Sequence, residues 1–154
     1  MIGGFQLAQI NIGRLRAPTD SPATQGFMDN LDRVNSLAEA QPGFVWRFTG
    51  DGNNAADVKA FDKPLMILNM SVWRDVESLA ASVYRTGHRD LMRRRLEWFH
   101  AMPDFMTMWW VPTGHRPVPQ ESIERLDRLT RLGAAPEAFS FKSPFPAPLI
   151  EHAA

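Results

Sequence analysis

Gln6-Leu7-Ala8-Gln9-Ile10-Asn11-Ile12 alternates, with Leu7, Gln9 and Asn11 on one side of an extended chain and Ala8, Ile10 and Ile12 on the other. That period of two predicts a first β-strand whose first side is unusually polar for a core. Arg14 to Pro22 carries two prolines and reads as a loop. From about Thr24 to Ala40 the period becomes helical, with Phe27, Leu31, Val34, Leu37 and Ala38 in step, and Pro42-Gly43 stops it. Phe44-Val45-Trp46-Arg47-Phe48 predicts a second strand with its three aromatics on one side, followed by a turn at Gly50 to Asn54. A third strand, Leu65 to Trp73, sets Leu65, Ile67, Asn69, Ser71 and Trp73 on one face and Met66, Leu68, Met70 and Val72 on the other. A helical region follows from Val76 to Tyr84. Gly87 interrupts it, and a further helix runs to His100 before Pro103. Met106 to Val111 is a fourth strand, and Pro112 to Pro117 is a turn-rich connection. Pro119 to Leu132 is a last helix, with proline at its opening turn and Gly133 at its close. Phe139-Ser140-Phe141 predicts a short edge strand ahead of an irregular tail.

Strand, helix, strand, strand, helix, strand is the split βαβ order, so the expected class is α+β: a ferredoxin-like βαββαβ antiparallel sheet with both helices on one face. The whole chain, 1–154, reads as a single domain, with a core of about 5–112 and an extra C-terminal helix and tail over 113–154. The apolar face of the third strand is expected to meet helices, and the face with Asn69 and Ser71 something that tolerates polarity. Two helices on one face leave the other bare. The tail could cover it, but a second sheet from an identical chain is the more economical cover and predicts a homodimer.

Composition narrows the classes of function. The 154 residues hold 17 basic and 17 acidic side chains, which gives no basic footprint for nucleic acid and no polybasic membrane anchor. No apolar run approaches the roughly 20 residues needed to cross a bilayer, and the first residues lack the form of a signal peptide, so a cytoplasmic protein is expected. The absence of cysteine excludes disulfides, thiolate catalysis and cysteine-ligated metal. Four histidines without an HExxH spacing offer little for a metal site.

Candidate chemistry concentrates around Thr86 to Phe99. His88 and Arg95 lie about two helical turns apart and share a face with apolar neighbours, whereas Arg93 and Arg94 turn to water, with Arg93 spaced to pair with Glu97. His88 is the candidate general acid or base. Arg95 is the candidate stabiliser of an anion, or the cation of a buried ion pair with Asp75, Glu77 or Glu97. Asn69, with Gln9, Asn11 and Ser71, can orient carbonyl or hydroxyl groups. Trp46, Trp73, Trp98, Trp109 and Trp110, with Phe99, suit either the lining for a flat substrate or a core or dimer interface. A pocket is expected between the sheet and its two helices or inside a barrel of paired sheets.

Leu7-Ala8-Gln9 with Asn11, Gly43-Phe44-Val45-Trp46-Arg47, Ser71-Val72-Trp73, His88, Arg95 with Trp98-Phe99, Trp109-Trp110-Val111-Pro112 with Gly114, and Ala138-Phe139-Ser140-Phe141 together resemble one family over nearly the whole chain. It is a bacterial and fungal family catalogued as a domain of unknown function within the dimeric α/β-barrel superfamily, the group that includes antibiotic-biosynthesis monooxygenases. The resemblance implies the fold and dimerisation. With the polar cluster it leads to the expectation of a small-molecule enzyme of secondary metabolism, using neither metal nor organic cofactor. Its chemistry would be acid/base oxygenation, cyclisation or isomerisation of an aromatic or polyketide-like substrate. Two alternatives stand beside it: haem binding with His88 as axial ligand, and a non-catalytic ligand-binding or stress-related dimer.

Overall fold

Strand β1 (Phe5–Arg14) runs through the middle of the molecule, paired antiparallel on both sides. In the computed structural model, residues 4–18, 20–49, 66–85, 93–101 and 105–148 are described. With β2 (Phe44–Arg47), β3 (Met66–Trp73) and β4 (Met106–Pro112), β1 forms a four-stranded antiparallel sheet in the order β2-β3-β1-β4. The alternation read in β1 and β3 is realised in register, Gln9 opposite Ser71 and Asn11 opposite Asn69, so four polar side chains share one face.

Helices α1 (Gln25–Glu39) and α2 (Val76–Arg85) pack on that polar-bearing face, contrary to the expectation that the wholly apolar face would take them. A short 3₁₀ turn, Pro22–Thr24, leads into α1, with the Ser21 hydroxyl accepting from the Ala23 N–H. At the start of α2 the Asp75 carboxylate accepts from the Ser78 N–H at 2.8 Å. Leu79 from α2 joins Leu7, Trp73, Met108 and Phe139 in a buried cluster on this side.

The opposite face is covered from within the chain. Helix α4 (Pro119–Leu132) lies over it, and Leu126 completes a cluster with Ala8, Ile10, Ile12, Leu68, Met70, Val72, Trp109 and Val111. Trp109 is fully buried there, and its indole N–H donates to Glu121 at 2.9 Å. The Ser122 hydroxyl meets the Met70 sulfur. The expected bare face, which was the ground for a second sheet, is therefore occupied by this chain's own helix.

Two local departures bear on the site. A bulge between Phe44 and Trp46 breaks the alternation of β2. Phe44 joins the cavity side, whereas Val45, Trp46 and Phe48 pack with the apolar cluster of the other face. The three aromatics thus do not share a side; the extra residue turns Arg47 to the face of its partner Ser71. The helix expected to reach His100 is seen among the described residues as α3 (Arg95–Trp98). Phe99 is already extended and bridges Leu15, with the His100 N–H on the Arg14 carbonyl at 2.9 Å. Pairing to the end of β1 outcompetes the last helical turn. The tail returns to the sheet at Phe139, which exchanges two backbone hydrogen bonds with Met108 of 2.7 and 2.9 Å, in place of the expected edge strand.

Candidate functional site

Between the sheet and helices α1 and α2 lies a cavity of about 200 Å3. Its floor is the polar quartet of β1 and β3. Its walls are Val34, Asn35 and Ala38 of α1, Leu79, Ser82 and Val83 of α2, and the rings of Phe44, Trp73, Phe105 and Phe141. Trp73 and Phe44 meet edge to face at 5.4 Å, a stable pairing for two large apolar surfaces.

The floor is one hydrogen-bonded network. Gln9 Nε2 donates to Asn69 Oδ1 at 2.9 Å and to Ser71 Oγ at 2.8 Å. Asn11 Nδ2 donates to Gln9 Oε1 at 3.2 Å and to Asn69 Oδ1 at 3.3 Å, and the Trp73 indole N–H donates to Ser71 Oγ at 2.8 Å. Gln9 and Ser71 are buried, so these bonds offset a desolvation cost that unpaired amides would bear in full. On the α1 wall, Asn35 is also buried, and its Nδ2 has no hydrogen-bond partner.

Arg47 is the charged lining residue that pattern reading missed. Its side chain is 8% exposed, and Nε and Nη2 both donate to Glu39 Oε1, at 2.9 and 2.7 Å. Alternation places Arg47 on the side away from the three aromatics, and only the bulge brings it beside Ser71. The signal within reach was the Glu39 carboxylate near the end of α1, a partner able to follow an arginine into a half-closed cavity.

The residues singled out from the sequence divide. Gln9, Asn11, Asn69, Ser71 and Trp73 converge on the cavity. Trp46 sits on the opposite face, with the Arg116 guanidinium 5.9 Å from its ring. Trp98 and Phe99 pack with Leu15 and Phe27 in a separate core. Trp110 shares the cavity's side of the sheet but packs under the tail, its indole N–H on the Phe145 carbonyl at 2.9 Å. His88 lies outside the described residues, and with it the expected pairing of His88 and Arg95.

Arg95 stands behind the cavity rather than in its lining. It donates to the Ile12 carbonyl at 2.8 Å, and its guanidinium lies 4.0 Å from the Phe105 ring centre and 5.0 Å from that of Phe99. Burial pushes its pKa down, yet an arginine keeps its proton in such a setting. Among the described residues no carboxylate pairs with it: Glu97, a possible partner, pairs with Arg94 at 2.9 Å, which also replaces the expected Arg93–Glu97 pair. Aromatic faces and a carbonyl replace the ion pair.

Among the described residues no group of three or more histidine, aspartate or glutamate side chains converges to hold a metal. The described lining carries amides, hydroxyls and a guanidinium, a set suited to oxygen atoms of a ligand.

Residues 6–154 match the family model described as a domain of unknown function, DUF3291. The chain belongs to that family. No curated protein matches. Among solved structures, the chain is similar to a protein of unknown function from Nitrosomonas europaea, at 15% identity, covering 75% of this chain and 95% of that one with a TM-score of 0.47. Among the described residues no helix is long and apolar enough to cross a membrane.

Proposed function

We propose that this member of the family binds a small organic molecule in the cavity between the sheet and helices α1 and α2. The ligand's apolar body rests against Trp73, Phe44 and the α2 wall, and its polar end meets the floor of Gln9, Asn11, Asn69 and Ser71. The observation that carries the proposal is that floor. Four polar side chains sit where an apolar set would pack a closed core, and the helices above them leave about 200 Å3 open. A ligand-observed NMR screen of single-ring aromatic fragments tests it, with Ala38→Phe as the filled-cavity control. Fragments are expected to bind the natural protein and to lose binding in Ala38→Phe with an unchanged circular dichroism spectrum. Equal binding to both proteins would overturn the proposal.

A catalytic reading is supported by the same floor, since preorganised donors stabilise negative charge on a substrate oxygen. It is the acid/base reaction expected from the sequence, with His88 as base and no metal or organic cofactor. The finer fold assignment, a ferredoxin-like member of the dimeric α/β-barrel superfamily, is supported by the order β2-β3-β1-β4 and by α1 and α2 sharing a face. The homodimer that goes with it would have to form beside α4, and the solution mass by light scattering decides it.

A further inference from the structure

We infer that the ligand's polar end is a neutral carbonyl oxygen, whose two lone pairs take donors from among Ser71, Asn69 and Asn35; this rests on the small-molecule binding just proposed and names its ligand class. The inference follows the protons through the floor. An indole N–H can only donate, so Ser71 Oγ accepts from Trp73 at 2.8 Å, and it accepts again from Gln9 Nε2 at 2.8 Å. A hydroxyl has two lone pairs and one proton, so what Ser71 has left to offer is its O–H. Asn69 Oδ1 likewise accepts twice, from Gln9 and Asn11, which turns its amide NH2 away from both. No described residue takes either of these donors.

Asn35 adds an independent observation from the opposite wall. It is 6% exposed and lines the same cavity, and its Nδ2 is a buried donor without a partner. A buried unpaired N–H is costly and rare, so a site that keeps one has a use for it. The acceptor left over on the floor, Asn11 Oδ1, belongs to a half-buried residue. The surplus across the cavity is of donors.

Charge then separates a carbonyl from a carboxylate. Arg47 is the one formally charged side chain in the described lining, and Glu39 already balances it at 2.7 Å. A carboxylate would enter without a countercharge, whereas a ketone, aldehyde or amide oxygen brings two lone pairs and no charge. A site built to donate hydrogen bonds rejects the analogue that lacks the acceptor far more strongly than an apolar pocket rejects a change of size.

Three probes of similar bulk decide it by NMR titration: acetophenone, ethylbenzene and benzoate, against the natural protein and the variants Ser71→Ala, Ser71→Thr and Asn35→Leu. Acetophenone is expected to bind about tenfold more tightly than ethylbenzene, with benzoate weaker than acetophenone. Asn35→Leu should remove a several-fold share of the ketone's preference and leave ethylbenzene unchanged, Ser71→Ala should reduce the same preference, and Ser71→Thr should keep it. Equal affinity for ketone and hydrocarbon, or a preference untouched in both variants, would overturn the carbonyl assignment while leaving the cavity as a binding site. Benzoate as the tightest probe would overturn its neutrality. If none of the three binds, or binding survives in Ala38→Phe, the cavity itself is not the site and the inference falls with it.

Discussion

Gly43 and Gly114 both adopt the left-handed backbone conformation, at φ 87° and 94°, but only one of them is also crowded. A Cβ at Gly43 would collide with the Ser78 side chain of α2, whereas at Gly114 nothing lies within 4 Å. Substitution by alanine therefore separates backbone strain from packing. Gly114→Ala should cost about 1 kcal/mol from conformation alone, and Gly43→Ala about 2–4 kcal/mol once α2 is pushed away. Urea melts of the two variants measure the difference; equal losses would mean that Ser78 moves aside freely. Residue detail was also where the sequence was hardest to read. The polarity of Gln9, Asn11, Asn69 and Ser71 identified the floor because each strand alternates without interruption. Arg47 escaped because a bulge reverses the sense of alternation, and nothing in Phe44-Val45-Trp46-Arg47 marks the extra residue. Asn35 escaped because a lone amide on a helix looks like any solvated position until the fold buries it.

Helix α2 depends on the residue just before it in a way that pH reveals. Partial burial works to raise the Asp75 pKa, but hydrogen bonds from Ser78 and Arg74 and the charge of Arg74 outweigh it and hold the carboxyl below the usual aspartate range. A depressed folded-state pKa means that the unfolded chain binds the proton more readily. The contribution is therefore complete above about pH 4, the unfolded value, and is lost as pH falls through the folded value. Asp75→Ala should cost about 1 kcal/mol at neutral pH, the usual worth of a helix N-cap, and should flatten the acid side of the stability profile. Asp75→Asn should retain part of the cap and show the same flattening. Melts at pH 7 and pH 3 check this, and an unaltered acid limb in both variants would contradict it. The other elements were legible to differing degrees. The last helix begins at Pro119 and ends before Gly133 as its punctuation predicted. The helix toward His100 closes at Trp98 because Phe99 pairs with Leu15 at the end of β1, a demand made by a distant strand that no local period records.

At the scale of the molecule, the two faces of the sheet are sealed to different degrees. The apolar face is closed by one helix, with Leu126 set among Ile10, Met70, Val72 and Trp109; the polar face is closed by two helices that stop short of contact with its centre. Leu126→Ala should therefore destabilise the whole protein by about 2–4 kcal/mol and increase binding of a hydrophobic dye. A loss below about 1 kcal/mol would mean that α4 is only loosely applied. The face composition was legible from Met66, Leu68, Met70 and Val72, but which helices would cover it was not. Period and punctuation say where a helix lies in sequence; they do not choose between two sheet faces when both carry apolar residues.

The return of the tail has a consequence for how these molecules behave in a crowd. A sheet ends in a row of unmet backbone groups, which invites a strand from a neighbour to extend it. Midway along β4 the row is engaged at Met108, which exchanges both its bonds with Phe139, while the side chains of Thr107 and Trp110 hold the tail there by the carbonyls of Phe139, at 3.1 Å, and Phe145. At this border the chain acts as its own terminator. Cleavage between α4 and Phe139 would do more than shorten the protein: it would turn a sealed border into a template for polymerisation.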